Sequence, residues 1–323
     1  MVEWTYFVNR PHTPLFSDFF IRGNSTEFFR KALGITIGFN YLKTIRGKTY
    51  VDKDEYGNLE RQVREHVEHE GIKAIEDYCD RVFEVGIQVF SRAYEIKREY
   101  KHSPKDNQSL LEFLRLYLNT VLDFIPFFIS FKPFESALEE IIQSRMQDLP
   151  KDVSVEISKA IWEYIINPNS PSLKSSQDLS AIASIVRRSG LRTALVQSSY
   201  ESVLSRLKPK YPKIYRKIRA WLRYHDWMNI RYFRDDPFNE YDILEMVKSR
   251  LDIETKKPKN FDAVASIDVF DNFQDIKSIA ELLRRLSTVK EYRHEVINRS
   301  NRIVRGILND VARTLGISYD DLV

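Results

Sequence analysis

The chain has 323 residues, of which 43% are hydrophobic, 30% charged and 13% aromatic, with a formal net charge of +4. Such values belong to a globular protein with a real core, large enough for one big helical domain or two to three of ordinary size, and the charge is too mild by itself to demand nucleic acid. A single cysteine, Cys79, excludes an internal disulfide and a cysteine-clustered metal site, and only ten glycines argue for long helices with ordinary connections.

The N-terminal Met-Val-Glu-Trp-Thr-Tyr-Phe7 has neither a basic n-region nor an apolar h-region, so no secretory signal is expected. Trp4 to Phe16 contains two closely spaced prolines, Pro11 and Pro14, that hold the chain extended. A short helix over Leu15–Arg22 should stop at Gly23, and a second, capped by Ser25 or Thr26, should end at Gly34. Ile35–Tyr41 and Lys48–Val51, flanking Ile45-Arg-Gly-Lys48, read as a small β-hairpin. A lone hairpin is marginal, so it must pack on helices.

From Asn58 helical periodicity dominates. Leu59–Cys79 and Arg81–Tyr100 read as two long helices or one continuous one, with Gly71 and Gly86 as tolerated breaks costing roughly 1 kcal/mol each. Ser103-Pro-Lys-Asp-Asn-Gln108 is a linker. Leu110–Ile125 is an apolar helix that Pro126 kinks or ends. The most apolar window, Val121–Phe134, is too short and interrupted to span a bilayer, so no membrane partner and a cytoplasmic location are expected. Helices over Phe134–Met146, Val153–Ile166 and Ser176–Arg188 follow, the last two separated by the loop Asn167-Pro-Asn-Ser-Pro-Ser172. Leu191–Leu207, Tyr211–Tyr224, Glu240–Leu251 and Gln274–Leu315 complete the helices, with Lys256-Lys-Pro-Lys-Asn260 as a basic linker. The last helix has the clearest stripe, Leu282, Leu286, Val289, Val296, Ile303, Ile307, Val311 and Leu315, interrupted by Arg293 and Ser300 with Asn301 beside them. Polar groups on such a stripe set register or face a ligand. The fold expected is mostly α, with long antiparallel helices and one small β-hairpin. Residues 1–57 would form an N-terminal segment, packed as one unit with a helical domain over 58–323.

No phosphate-cradling glycine loop and no G-x-S-x-G elbow is present. His66 and His69 lie one helical turn apart among Glu65, Glu68 and Glu70, but without the H-E-x-x-H order, and read as a solvated face; no metal is expected. The segment Trp221–Phe238 carries six aromatics among Arg, His and Asp. It is either a semi-buried polar site or an elbow between helices, packed by aromatics and tied by ion pairs. Lys208–Arg219 is a basic run with interleaved tyrosines, either a phosphate or nucleic-acid contact or a helix start with an exposed basic face. His12, His225 and His294 are candidate general bases or phosphate ligands, against a plain structural role.

Three segments together resemble one family. Trp4–Phe20, with Arg10-Pro-His-Thr-Pro-Leu-Phe16, looks like the opening of the central domain of phosphoenolpyruvate-synthase-like dikinases, a superfamily that includes pyruvate, water dikinases, rifampicin phosphotransferases and phenylphosphate synthases. Tyr224-His-Asp-Trp227 through Asp236-Pro-Phe-Asn-Glu-Tyr-Asp-Ile-Leu244 resembles its Tyr-x-Trp or Tyr-Gly-His segment and the acidic-Pro-aromatic turn into a helix after it. Lys290-Glu-Tyr-Arg-His-Glu295 through Leu315-Gly-Ile-Ser-Tyr-Asp-Asp-Leu-Val323 resembles its Arg-Glu-Asp-Arg helix and the Asp-Asp-Val continuation, with Lys290 in place of the usual first arginine. The match extends in order over nearly the whole chain, on motifs that are individually loose.

The resemblance implies a central helical region without the ATP-grasp half and without the Thr-x-Gly-Gly-x-x-x-His phosphohistidine loop. It implies a subunit or stand-alone module, rather than a complete enzyme, that binds an acceptor and docks a phosphohistidine domain. ATP-grasp and phosphohistidine chains are then the partners. A small-molecule acceptor is the ligand, and ATP and Mg belong to the partners rather than to this chain. No residue of this chain is assigned a catalytic role. Arg10, His12, His225, Trp227, Arg231, Arg234, Arg293 and His294 are the candidate acceptor-binding residues. Two alternatives are a helical scaffold or oligomerisation protein without ligand, and a nucleic-acid binder using Lys208–Arg223; nucleic acid is not the partner expected.

Overall fold

A computed structural model describes residues 3–9, 14–35, 38–45, 48–103, 106–147, 149–165, 170–230, 235–252 and 273–322. The described residues fall into two compact units. The first comprises those within Met1–Ile166, Arg231–Asp235 and Ala265–Val323; the second comprises those within Asn167–Ile230 and Asp236–Val264. The boundary read at residue 57 lies inside the first unit, and the second begins where the Asn167 loop was expected.

The protein is mostly α with one small sheet, as expected. Three antiparallel strands, β1 (Trp4–Asn9), β2 (Leu42–Ile45) and β3 (Lys48–Asp52), lie in the order β1-β3-β2. Trp4 pairs with Asp52 and Leu42 with Val51, and the β1–β3 ladder slips between Tyr6 and Val8. The hairpin is present, but its first strand starts at Leu42 rather than Ile35. Ile35 and Phe39 are buried in the core, and the Phe39 amide donates to the Asn24 carbonyl at 2.7 Å instead of to a ladder. Gly38 crosses the backbone of Ser25 and Thr26 so closely that a Cβ there would collide with it. The strand Trp4–Asn9, read only as extended chain, supplies the third member. The loop residues 46–47 lie outside the described residues.

α1 (Pro14–Gly23) and α2 (Thr26–Leu33) follow β1, α2 ending at Gly34 in the left-handed region. Asp52 ends β3 and caps α3 (Lys53–Glu70), accepting from the amides of Asp54 and Glu55, both at 2.9 Å. Leu59, Val63 and Val67 form the buried stripe of α3. Gly71, at φ 68° and ψ −151°, a region nearly reserved for glycine, ends α3 and turns the chain into α4 (Ile72–His102). The break between the two long helices is therefore at Gly71, and α4 continues straight through Gly86.

α5 (Asn107–Leu122) is capped by Asp106, whose carboxylate accepts from the Ser109 amide at 2.8 Å. That cap holds the Asp106 carboxyl below its ordinary range. After the turn 123–125, α6 (Pro126–Gln147) starts at Pro126, where a missing N–H costs nothing, and runs through Pro133. The helix expected from Phe134 is thus two turns longer at its start. Among the described residues, Asn107–Gln147 is the one stretch that passes for a membrane span by length and composition; over half of its most apolar window is buried.

α7 (Lys151–Ile165) packs Ile157, Ala160 and Ile161 against Ile276 and Ala280 at the start of the 42-residue α13 (Gln274–Leu315). α13 runs beside α4, α5 and α6 through one continuous core that extends from Phe16 to Val311, and α14 (Tyr319–Leu322) closes the chain. At Gly86 a Cβ would lie 2.6 Å from the Tyr292 ring and 2.8 Å from a Val296 methyl, so glycine there lets α4 and α13 approach.

The second unit has its own core, built on Leu179, Ile182, Val186, Ile218, Trp221, Ile243 and Val247. It comprises α8 (Pro171–Arg187), α9 (Leu191–Gln197), α10 (Tyr200–Lys210), α11 (Pro212–His225), a 3-10 turn Asp226–Asn229 and α12 (Glu240–Lys248). The single helix expected over Leu191–Leu207 is split at Ser198–Ser199, where the Ser199 hydroxyl caps α10. Asn239 and Asp242 form a reciprocal capping box that starts α12. Arg187 ties down the far end of α12, donating at 3.0 Å to the carbonyls of both Arg250 and Leu251. The basic linker Lys256–Asn260 lies outside the described residues.

Candidate functional site

A cavity of about 370 Å³ opens in the first unit between β1, α1, α3, the start of α6 and the middle of α13. Its volume is near the lower end of the range for small-molecule sites. Phe7 on β1, Phe16 and Phe20 one turn apart on α1, and Tyr56 on α3 form one wall. Phe7 sits 5.7 Å from the Tyr56 ring and 6.3 Å from Phe20. Phe128 and Phe131 of α6 form the opposite wall, Phe128 meeting Phe16 edge to face at 6.4 Å. Burial, helped by the Glu60 charge, raises the Tyr56 hydroxyl well above the ordinary tyrosine range, so it is a neutral donor at the pH of the cell.

The polar part of the cavity comes from two helices. On α13, Lys290, Arg293 and His294 stand at i, i+3 and i+4, which places them on one face. On α6, Lys132 and Glu135 contribute. Three cations and one carboxylate therefore line the site. Glu135 is held by Lys132 at 2.8 Å and by Lys290 at 3.5 Å. The hydrogen bond with Glu135 raises the Lys132 ammonium, which keeps its charge.

Arg293 is 5% exposed. Its guanidinium donates to the carbonyls of Phe127 at 2.8 Å and Phe128 at 3.0 Å, and lies 4.0 Å from the centroid of the Phe131 ring. His294 meets the Phe128 ring edge to face at 5.6 Å. Further along the same helix Ser300 donates to the Ile297 carbonyl at 3.0 Å, so the Tyr117 hydroxyl, 3.1 Å away, donates to Ser300. Asn301 is fully buried, and neither of its side-chain polar atoms has a partner among the described residues. Of the polar interruptions read on the α13 stripe, Arg293 thus pins α13 to α6 and Ser300 pins it to α5.

Of the other candidates, Arg10, His12, Arg231 and Arg234 lie outside the described residues. His225 and Trp227 belong to the second unit. His225, the last residue of α11, is 5% exposed; its Nε2 is 3.3 Å from the Asp178 carboxylate and its ring 5.2 Å from Trp221. Nδ1 of His225 is buried with no hydrogen-bond partner among the described residues. Trp221 donates to the Ser175 carbonyl at 3.1 Å and Trp227 to the Tyr224 carbonyl at 2.8 Å, while Phe238 packs 5.6 Å from Trp221. The described part of the 221–238 segment is thus a packed elbow, and none of its side chains lines the cavity. His66 and His69 are exposed.

The residues that sequence reading passed over are the phenylalanines of α1 and α6, Tyr56, Lys132 and Glu135. Their one sequence signal is the run Phe127-Phe-Ile-Ser-Phe-Lys-Pro-Phe134, where Lys132 and Pro133 interrupt an aromatic stretch. No protein-family model, curated protein or solved structure matches this chain.

Proposed function

We propose that this chain is the acceptor-binding module of a dikinase-type phosphotransferase, and that the aromatic cavity with its excess of cations holds the acceptor. The single observation that carries the reading is the convergence at the cavity of two segments that resemble that family. The opening segment provides Thr5, Tyr6, Phe7, Phe16 and Phe20; the last helix provides Lys290, Arg293 and His294. They are some 280 residues apart in sequence. The cavity suits a compact molecule with an apolar or aromatic body and a negatively charged oxygen group, the body against Phe16, Phe20 and Phe131 and the oxygens toward Lys290 and Lys132. The phosphoryl group would reach the acceptor from a histidine on a partner chain. ATP and Mg would be bound by an ATP-grasp partner. On this reading the protein works in the cytoplasm. Reconstitution with ATP-grasp and phosphohistidine chains tests it: transfer from ATP to the acceptor should require this chain and fall with Lys290→Glu, whereas transfer that proceeds equally well without the chain overturns it.

A further inference from the structure

We infer that the outer face of α11, with the adjoining end of α10, binds a single strand of nucleic acid, the phosphates on its lysines and arginines and a base on Tyr224. The site shares no residue with the cavity and stands whether or not the chain handles a small acceptor. Charge is divided unequally along the chain: the sequence within the second unit carries a net +7 and that within the first a net −3. Much of the excess lies between Arg206 and Arg223, where eight cations meet no acidic residue. All eight are exposed. Only Arg219 has a carboxylate partner among the described residues, Glu240 at 2.6 Å. Lys208, Lys210, Lys213, Arg216, Lys217 and Arg223 have neither an ion pair nor a ring partner there. Elsewhere some exposed cations have a carboxylate neighbour, as Arg61, Arg64 and Lys73 do.

The fold does not call for this charge. Lys208 and Lys210 at the end of α10 suit the helix dipole, but Lys213, Arg216 and Lys217 stand in the first turns of α11, where cations are disfavoured and no acidic residue offsets them. At 100° per residue Lys213, Arg216, Lys217, Arg223 and Tyr224 share one side of the helix, around the small Ala220. From Lys213 to Arg223 the helix rises about 15 Å, the length of about four phosphates on a strand that keeps the stacked 3.4 Å rise it has in a duplex. Tyr224 is 64% exposed at the end of this row, an aromatic surface open to solvent. A row of unpaired cations ending in an exposed ring fits a strand with accessible bases better than a duplex, whose bases are stacked inside.

Fluorescence anisotropy with labelled single strands of about 20 nucleotides, RNA and DNA in separate arms, and with the matching duplex, tests the assignment. At ~50 mM salt the chain should bind single strands, with a log–log salt slope of about −3 for four to five phosphate contacts. K213E/R216E/K217E should bind at least about tenfold more weakly with a shallower slope. Tyr224→Ala should weaken the single strand about threefold or more and leave the duplex unchanged. K213Q/K217Q gives a milder loss in the same direction should the triple reversal disturb folding by circular dichroism. The assignment is overturned by absence of binding at ~50 mM salt, by binding that the charge variants leave unchanged, or by polyglutamate competing as well as the strand while Tyr224→Ala is silent. That last result would give the face to an acidic protein.

Discussion

Replacing Arg293 by methionine separates the structural from the binding contribution of the cavity's most buried cation. The arginine makes two charge-assisted hydrogen bonds, to the Phe127 and Phe128 carbonyls, each of a kind that contributes about 1.5–3 kcal/mol. Its stacking on Phe131 adds about 0.5–2 kcal/mol. Opposing these is the desolvation of a guanidinium that is 5% exposed, which costs several kcal/mol and which methionine avoids while filling much of the space. Phe127 keeps the Tyr78 hydroxyl at 3.1 Å, so one of the two carbonyls stays satisfied. The expected net loss is about 1–3 kcal/mol for Arg293→Met. Arg293→Lys should lose about 1 kcal/mol, because an ammonium cannot both fork to two carbonyls and lie flat on the ring. Urea unfolding followed by circular dichroism measures both. If Arg293→Met stays within about 0.5 kcal/mol of the parent, Arg293 does not brace the start of α6.

Gly86→Ala should destabilise the protein by about 1 kcal/mol, because overpacking against Tyr292 and Val296 outweighs a helix-propensity gain of about 1 kcal/mol; an unchanged or raised urea midpoint would mean the α4–α13 approach is looser than described. Cys79 is fully buried, and burial pushes its thiol up to about 12 from 9.0. Between those values the unfolded chain loses the proton and the folded chain keeps it, so stability falls as pH rises above 9, by about 1.4 kcal/mol at pH 10 from this group. Melting curves between pH 7 and 10 should be flatter for Cys79→Ala, and the native thiol should resist Ellman's reagent until the chain unfolds; rapid native labelling would contradict both. His225→Ala should lower stability by about 1–2 kcal/mol through lost packing on Trp221 while leaving small-molecule binding unchanged; a parallel loss of binding would return the 221–238 segment to the site.

Much of the helical order was legible because its signals are local. The α13 stripe is visible as a period and Gly34 as the end of α2, whereas the caps Asp52, Asp106 and Ser170 start their helices three to six residues ahead of the expected Leu59, Leu110 and Ser176. The failures have specific causes. Gly71 and Gly86 read alike as weak points, yet one is needed for its backbone angles and the other for the neighbour pressed against it, a difference set by tertiary contacts. Pro126, read as kinking or ending the helix before it, also starts the next one, since proline suits the first turn of a helix. Ile35–Tyr41 alternates like a strand, but Ile35 and Phe39 are buried in the core and the Phe39 amide is taken by the Asn24 carbonyl. The cavity was half legible: Arg293 and His294 stand out as polar residues on or beside an apolar stripe. Its aromatic wall is assembled from β1, α1, α3 and α6, and no local pattern links Phe7 or Tyr56 to Arg293. Trp221–Phe238 drew attention by composition, but Trp221 and Phe238 pack on one another, Trp221 is tied to α8, and Trp227 donates to the Tyr224 carbonyl, while the Tyr224 ring stays exposed.

Isothermal titration of the protein with benzoate, phenylacetate and phenyl phosphate tests most directly whether the cavity takes an apolar body with a charged oxygen group. At least one of the three should bind with a dissociation constant in the range of about 10 μM to 1 mM. Lys290→Glu should weaken that binding by about tenfold or more, and His225→Ala should leave it unchanged. Absence of heat with all three at ~10 mM, or equal binding to Lys290→Glu, would contradict the assignment of this cavity as the ligand site.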